Sequence, residues 1–178
     1  MNKDYAIFAS GCFWCTEAIF DNLNGVISVV PGYIGGTVSN PSYEQVCSGT
    51  TGHAEAIKTT YDREILSFEN LLKVFFETHD PTTPNRQGND IGTQYRSSIF
   101  YKNEFELNFS KDYITMLEKS GIFSSKIVTT LEKETKFFEA EEYHKKYFHN
   151  NPENTYCQLV VKPKIDKFRL SKNHLLKK

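Results

Sequence analysis

The sequence has few cysteines, no long apolar run and no marked excess of charge of one sign. Four cysteines in 178 residues are too sparse for a small fold held together by disulfides. The longest apolar stretches, such as the one at 71–76, are far shorter than the roughly 20 residues that span a bilayer. The first residues also lack the apolar segment of a signal peptide. We therefore expect a cytoplasmic protein that does not bind membranes.

The charges nearly cancel, with 21 Lys and Arg against 22 Asp and Glu. This balance argues against binding to nucleic acid through bulk charge. Aromatic residues make up 14% of the chain and apolar residues 39%, which excludes a disordered chain. The length fits one domain, so residues 1–178 are expected to form a single catalytic domain, with a core at about 5–160, and to act as a monomer.

The end of the chain differs from the rest in charge. From Lys162 onward there are six lysines and one arginine against one aspartate, a net charge of +6. Such a run is usually a solvated tail, and we expect that for residues 162–178. The alternative is a strip that docks an acidic partner.

Strand-like runs alternate with helical patterns along the chain. The predicted strands are 5–9, 26–33, 54–61, 97–101 and 126–131. The predicted helices are 13–24, 67–79, about 104–120 and about 140–149. This alternation predicts an α/β two-layer sandwich: a mixed sheet with a ferredoxin-like βαββαβ core and an extended C-terminal segment.

The most informative segment is Gly11-Cys12-Phe13-Trp14-Cys15, at the junction of a predicted strand and a predicted helix. Cys12 would lie at the helix N-terminus, where the unpaired amides lower the pKa of a thiol. Gly11 would allow the tight turn that precedes it. Cys15 lies three residues further on, on the same side of the helix, and could form a disulfide with Cys12.

Other readings of this cysteine pair stay open. The two thiols could simply be packed in the core. Cys12 and Cys15 could bind zinc together with His144 and His149, which would make the protein a zinc-stabilised binding module without turnover. A general disulfide oxidoreductase is a third possibility.

Further blocks of the sequence, in order along the chain, resemble the A class of peptide methionine sulfoxide reductases. Besides the cysteine motif, they are residues 32–36, 40–49, 51–55, 79–82, 87–97 and 139–144. The resemblance covers about residues 5–160. It implies an oxidoreductase that reduces methionine-S-sulfoxide, free or within proteins, and so repairs proteins after oxidation.

The same resemblance assigns roles at the site. Cys12 would attack the sulfoxide sulfur and become a sulfenic acid, and the resulting disulfide would be reduced by thioredoxin or another dithiol, with no bound cofactor. Phe13 and Trp14 would form the wall that holds the substrate methyl group. Their alternative role is ordinary core packing.

A carboxyl group and two hydroxyl groups match the residues that the family places at the sulfoxide oxygen. Glu55 would be the acid, with a pKa raised by partial burial. Tyr43 and Tyr95 would donate hydrogen bonds to the oxygen, and Asp90 would support them. Glu55 could instead face solvent, and either tyrosine could be a packing residue.

The thiol that resolves the sulfenic acid has two candidates. Cys157 resembles the resolving cysteine of the family, although the glycine-rich stretch of some members is missing here. Cys15 stands where many members have glycine. We expect Cys157 to react first, from a mobile polar segment, because Cys15 beneath Trp14 should have a raised pKa. Cys47 is expected to be a packed thiol.

Overall fold

The computed structural model describes residues 2–177; Met1 and Lys178, which end the predicted domain and tail, lie outside them. The strands are β1 (Lys3–Ser10), β2 (Val26–Ile34), β3 (Ala54–Asp62), β4 (Arg86–Gln87), β5 (Asp90–Ile91), β6 (Ser97–Tyr101), β7 (Thr130–Lys133) and β8 (Phe138–Glu139). The helices are α1 (Phe13–Phe20), α2 (Tyr43–Cys47), α3 (Phe68–Thr78), α4 (Glu104–Ser120), α5 (Tyr147–Asn150) and α6 (Lys162–Lys172).

The main sheet has six strands in the order β7-β6-β1-β3-β2-β8, and β4 and β5 pair separately. β1 runs antiparallel to β3 and β6, and β2 runs antiparallel to β3 and β8. β7 pairs with β6 in the parallel sense. The predicted mixed sheet layered with helices is therefore confirmed. The strand expected at 126–131 is shifted toward the C-terminus, because pairing with β6 starts only at Thr130.

Local signals place the long helices well. α3 begins after Ser67, whose hydroxyl accepts a hydrogen bond from the Asn70 amide at 3.3 Å, and α4 ends at Gly121, which has a φ of +70°. α1 begins as predicted but ends at Phe20, short of Asn24. The core beside them is aromatic. The ring of Phe8 on β1 packs against those of Phe20, Phe68 and Phe75.

The helix predicted at 140–149 is wrong. The segment forms a 3₁₀ turn at Glu142–His144 and the short helix α5, separated by Lys146 with a φ of +52°. The physical reason is a long-range contact that helical periodicity does not reveal. The Glu17 carboxylate accepts the Lys146 amide hydrogen at 2.8 Å, so this amide is bound to α1 and not to the preceding turn.

The expectation of a solvated C-terminal tail is also wrong. A π-helical turn at Cys157–Val161 continues into α6. Ile165 and Phe168 are buried, which turns the remaining, mostly charged, side chains of the helix outward. The backbone that follows α6 is fixed as well, because the Asn24 amide donates a hydrogen bond to the Leu175 carbonyl at 2.8 Å. Within residues 2–177, no helix has the length and apolar character needed to cross a bilayer.

The docking of α6 can be tested by truncating Phe168, which is 5% exposed. Replacing a buried phenylalanine with alanine costs about 3–5 kcal/mol, so Phe168→Ala should raise the rate of hydrogen exchange in α6 by at least about tenfold, or lower the global stability. The matched control is Leu170→Ala on the same helix, since Leu170 is 88% exposed. Equal exchange in the two variants would mean that α6 is not docked.

Candidate active site

The turn before Cys12 requires glycine. Gly11 has a φ of +93°, and a Cβ atom there would lie 2.6 Å from the side chain of Gln87. The chain leaves β1 at Ser10, turns at Gly11 and starts α1 directly after Cys12. The Cys12 side chain is 9% exposed, so its sulfur lies in a nearly closed site.

The two thiols of the motif differ in acidity, in the opposite sense to the sequence-based expectation. Burial, a hydrogen bond with Cys15 and the charge of Glu55 raise the pKa of Cys12 well above its usual value. The pKa of Cys15 is lowered, first because Cys12 donates to its sulfur and then because of Lys164 and Tyr156. Desolvation thus outweighs the helix N-terminus at Cys12. Cys15 gains partners from the C-terminal segment that the motif alone does not reveal.

Glu55 lies inside the protein and not on its surface. Its side chain on β3 is 1% exposed, and Oε2 accepts the Phe13 amide hydrogen at 3.1 Å. Loss of solvent raises the pKa of this carboxyl to about 8, and the charges of Asp90 and Cys15 add to the shift. The carboxyl therefore holds a proton at neutral pH, as a general acid requires. The alternative of a solvent-facing glutamate is excluded.

Tyr43 and Tyr95 are half-buried, at the first turn of α2 and in the 3₁₀ turn Thr93–Tyr95. Burial, and after it the charge of Glu55, raises the pKa of both hydroxyls. Both stay protonated and can donate hydrogen bonds near the carboxyl. Asp90 takes part through another residue, since its Oδ2 accepts the Tyr156 hydroxyl hydrogen at 2.6 Å.

The two aromatic residues of the motif are well covered. Phe13 is 1% exposed, and its ring centroid lies 5.8 Å from that of Tyr33. The ring of Trp14 stacks on that of Tyr147, with centroids 3.7 Å apart and planes 6° from parallel. The edge of Tyr156 also contacts Trp14. The C-terminal segment therefore covers the aromatic surface that the sequence predicts for the methyl group.

His144 and Glu141 belong to the site, although the sequence suggested a role only for His144, as a zinc ligand. Trp14 Nε1 donates to His144 Nδ1 at 3.0 Å, and Tyr33 donates to Glu141 Oε2 at 2.7 Å. Glu141 Oε1 also accepts the amide hydrogen of Tyr43 at 2.8 Å. Glu141 and His144 lie three residues apart in the matching block 139–144, and this is the sequence feature that could have indicated their place at the site. Together they fix Trp14 and the start of α2.

The zinc reading finds no support in this arrangement. His144 Nδ1 is occupied by Trp14, and His149 lines a separate cavity of about 240 Å³ beside Glu17 and Arg169. Across residues 2–177, no cluster of three or more His, Cys, Asp or Glu side chains is placed to bind a metal ion.

The other two cysteines are also found in unexpected surroundings. Cys157 is buried, with 0% exposure, and burial together with the charge of Cys15 raises its pKa. It lies in the π-helical turn and not on an exposed polar loop. Cys47, expected to be packed, is exposed at the end of α2, because Val46 supplies the buried contact of that short helix.

Comparisons with known proteins place the chain in one family. The family model described as "Peptide methionine sulfoxide reductase" matches residues 4–176. The chain is 50% identical over 167 residues to peptide methionine sulfoxide reductase MsrA of Picrophilus torridus, covering 94% of each chain. It is also 50% identical to MsrA of Saccharolobus solfataricus, over 93% of this chain and 92% of that one. The crystal structure of Mxr1 from Saccharomyces cerevisiae in reduced form is similar, with a TM-score of 0.80, 33% identity and coverage of 88% and 90%.

The burial of Glu55 makes the stability depend on pH. Its pKa of about 8 in the folded protein lies above the ordinary 4.5, so between these values the folded state keeps a proton that the unfolded chain has lost. Raising the pH through this window therefore lowers the wild-type stability, by up to about 1.4 kcal/mol per pH unit. Glu55→Gln keeps the shape without the charge. Urea unfolding should show it gaining stability over wild type as the pH rises from about 5 to 8.

The control for this experiment is Glu153→Gln, which changes an exposed carboxylate. Its stability difference from wild type should stay constant over the same pH range. A constant difference for Glu55→Gln as well would show that Glu55 is solvated in the folded protein.

Proposed function

We propose that this chain, which belongs to the peptide methionine sulfoxide reductase family, reduces methionine-S-sulfoxide through attack by Cys12 on the sulfoxide sulfur. It is an oxidoreductase whose substrate is methionine sulfoxide, free or within proteins. One observation supports the mechanism most directly: the protonated carboxyl of Glu55 accepts a hydrogen bond from the backbone amide of Phe13, the residue that follows Cys12.

In the first step, the Cys12 sulfur forms a bond with the substrate sulfur while Glu55 gives its proton to the oxygen. The hydroxyl group is then transferred to Cys12, which becomes a sulfenic acid, and methionine leaves. Cys12 loses two electrons and the sulfoxide gains them, so this step needs no other reductant. The thiol proton of Cys12 passes to Cys15, whose sulfur accepts its hydrogen bond, and Glu55 regains a proton from solvent.

Tyr43 and Tyr95 donate hydrogen bonds to the sulfoxide oxygen as it gains negative charge. The rings of Phe13 and Trp14 contact the methyl group and the sulfur, as aromatic side chains do with thioethers. Asp90 holds Tyr156 while the site is empty. Substrate entry therefore displaces the rings of Tyr147 and Tyr156 from Trp14.

Cys15 is the thiol that we propose to resolve the sulfenic acid first. The sequence predicts Cys157, but the lowered pKa of Cys15 and its hydrogen bond with Cys12 favour Cys15. Its sulfur bonds to that of Cys12, the S–O bond breaks, and the hydroxide leaves as water after taking the proton that Cys15 received. Cys157, close enough for the charge of Cys15 to raise its pKa, then bonds to the Cys15 sulfur as the Cys12–Cys15 bond breaks. The thiol proton of Cys157 passes to the released Cys12 sulfur.

An external dithiol such as thioredoxin supplies the two electrons and two protons that reduce the final disulfide. We place the protein in the cytoplasm, where four free cysteines stay reduced between turnovers. It acts there as a monomeric, single catalytic domain, and the chemistry described uses no bound cofactor.

Replacing Cys12 tests the reaction directly. Cys12→Ser should fold normally but form no methionine when mixed with one equivalent of methionine sulfoxide, because a hydroxyl is a far weaker nucleophile toward sulfur. The control is Cys47→Ser, which changes an exposed cysteine and leaves a hydroxyl that can keep the hydrogen bond of Cys47 with Tyr43; it should release one methionine per enzyme. Methionine formation by Cys12→Ser would refute the mechanism.

The order of the resolving thiols predicts different trapped states. After one equivalent of substrate, Cys157→Ser should hold a Cys12–Cys15 disulfide, whereas Cys15→Ser should accumulate a sulfenic acid on Cys12. Dimedone labelling followed by peptide mass spectrometry distinguishes the two products. If Cys157→Ser keeps the sulfenic acid and Cys15→Ser forms a Cys12–Cys157 disulfide, Cys157 reacts first.

A further inference from the structure

The basic C-terminal helix brings one of its lysines to the redox-active pair. The Lys164 ammonium lies 3.9 Å from the Cys15 sulfur, although 149 positions separate the two residues in the chain. The neighbouring lysines of α6 are engaged differently. Lys162 forms an ion pair with Asp166 at 2.6 Å, and Lys167 is exposed. The contact with Cys15 is thus specific to one position of the helix.

The rotation of α6 explains why Lys164 is the lysine that faces the thiol. Val161, Ile165 and Phe168 are buried, and at helical spacing they define the face that packs on the core. Lys164 lies at the edge of this face and is partly buried. Its ammonium group is therefore positioned by the hydrophobic packing of the helix and not by a freely moving tail.

Several polar and charged groups surround the Cys15 sulfur, and they act in opposite directions. Cys12 donates a hydrogen bond to it, and Lys164 contributes a positive charge. The Tyr156 hydroxyl, whose hydrogen is donated to Asp90, also favours the ionised form of Cys15. Asp90 opposes its ionisation, and the charges of Cys157, Glu55 and Cys12 are mutually unfavourable with that of Cys15. Glu55 is mostly neutral at pH 7, because its pKa is about 8. Of the contacts that lower the pKa of Cys15, the hydrogen bond from Cys12 has the largest effect and the charge of Lys164 the next largest.

We propose that Lys164 is a positioning residue: its ammonium group beside the Cys15 sulfur favours the thiolate of Cys15 that attacks the sulfenic acid of Cys12. This inference rests on the resolving role of Cys15 proposed above. A thiolate attacks sulfur far faster than a thiol does, and Cys15 must give up the proton that it received from Cys12 in order to attack. The rate of resolution therefore follows the fraction of Cys15 that is ionised. When the Cys12–Cys15 disulfide forms, the negative charge disappears and Lys164 loses its partner.

The ionisation of Cys15 can be measured without access to the buried sulfur. The carbon-13 NMR shift of the cysteine Cβ follows its titration, and Cys15→Ser assigns the signal. An opposite charge at this distance lowers a pKa by about 1–3 units, so Lys164→Met should raise the apparent pKa of Cys15 by about one unit. Lys164→Arg should restore the wild-type titration, and the matched control Lys167→Met should not alter it.

The consequence for the reaction is a slower resolving step. At a pH well below the pKa of Cys15, a rise of one pKa unit lowers the thiolate fraction about tenfold. Measured at such a pH in the Cys157→Ser background, where the Cys12–Cys15 disulfide accumulates, this disulfide should form about tenfold more slowly with Lys164→Met after one equivalent of substrate. If all proteins release methionine, but Lys164→Met changes neither the titration of Cys15 nor the rate of disulfide formation, the role of Lys164 is refuted and the proposed function is not. A wild-type protein that releases no methionine would instead refute the proposed function.

Discussion

The carboxyl group of Glu55 is buried beneath the first turn of α1 and hydrogen-bonded to the Phe13 amide. This contact joins the middle of the sheet to the helix that begins directly after Cys12. A carboxylate would be costly to hold in such a dry place, so the group keeps its proton near neutral pH. The same lack of water raises the pKa of Cys12. Near neutral pH both groups therefore keep their protons, which allows proton exchange between neighbours.

A second group of contacts connects the site to the C-terminal third of the chain. Glu141 binds both the Tyr33 hydroxyl and the Tyr43 amide, and His144 accepts from Trp14. Glu17 holds the amide of Lys146, next to the Tyr147 ring that covers Trp14. Each of these polar groups forms a hydrogen bond with a different element of the fold. The conformation of residues 141–147 therefore depends on contacts with α1 and β2 more than on the helical preference of the segment itself.

The sequence predicts the site residues better than their surroundings. Cys12 can be placed from a predicted strand, a glycine and a helical pattern that begins directly after Cys12. The matching blocks single out Glu55. The lowered pKa of Cys15 could not be predicted, because it depends first on a hydrogen bond donated by Cys12 and then on Lys164, far away in the chain. Hydrophobic spacing at Val161, Ile165 and Phe168 was a usable signal for α6. It was obscured by the excess of lysine, which is typical of solvated tails.

The segment that carries Cys157 is held at both ends. Near its start the Lys146 amide is bound by Glu17, and beyond it the Leu175 carbonyl is bound by the Asn24 amide. A thiol between two anchors can explore only a small volume, so its effective concentration at Cys15 stays high without a specific encounter. A thiol on a free tail would be diluted over a much larger volume. In the proposed relay, exchange between the internal disulfides would therefore behave as a reaction inside a closed loop, with a speed that depends on the segment between the two anchors.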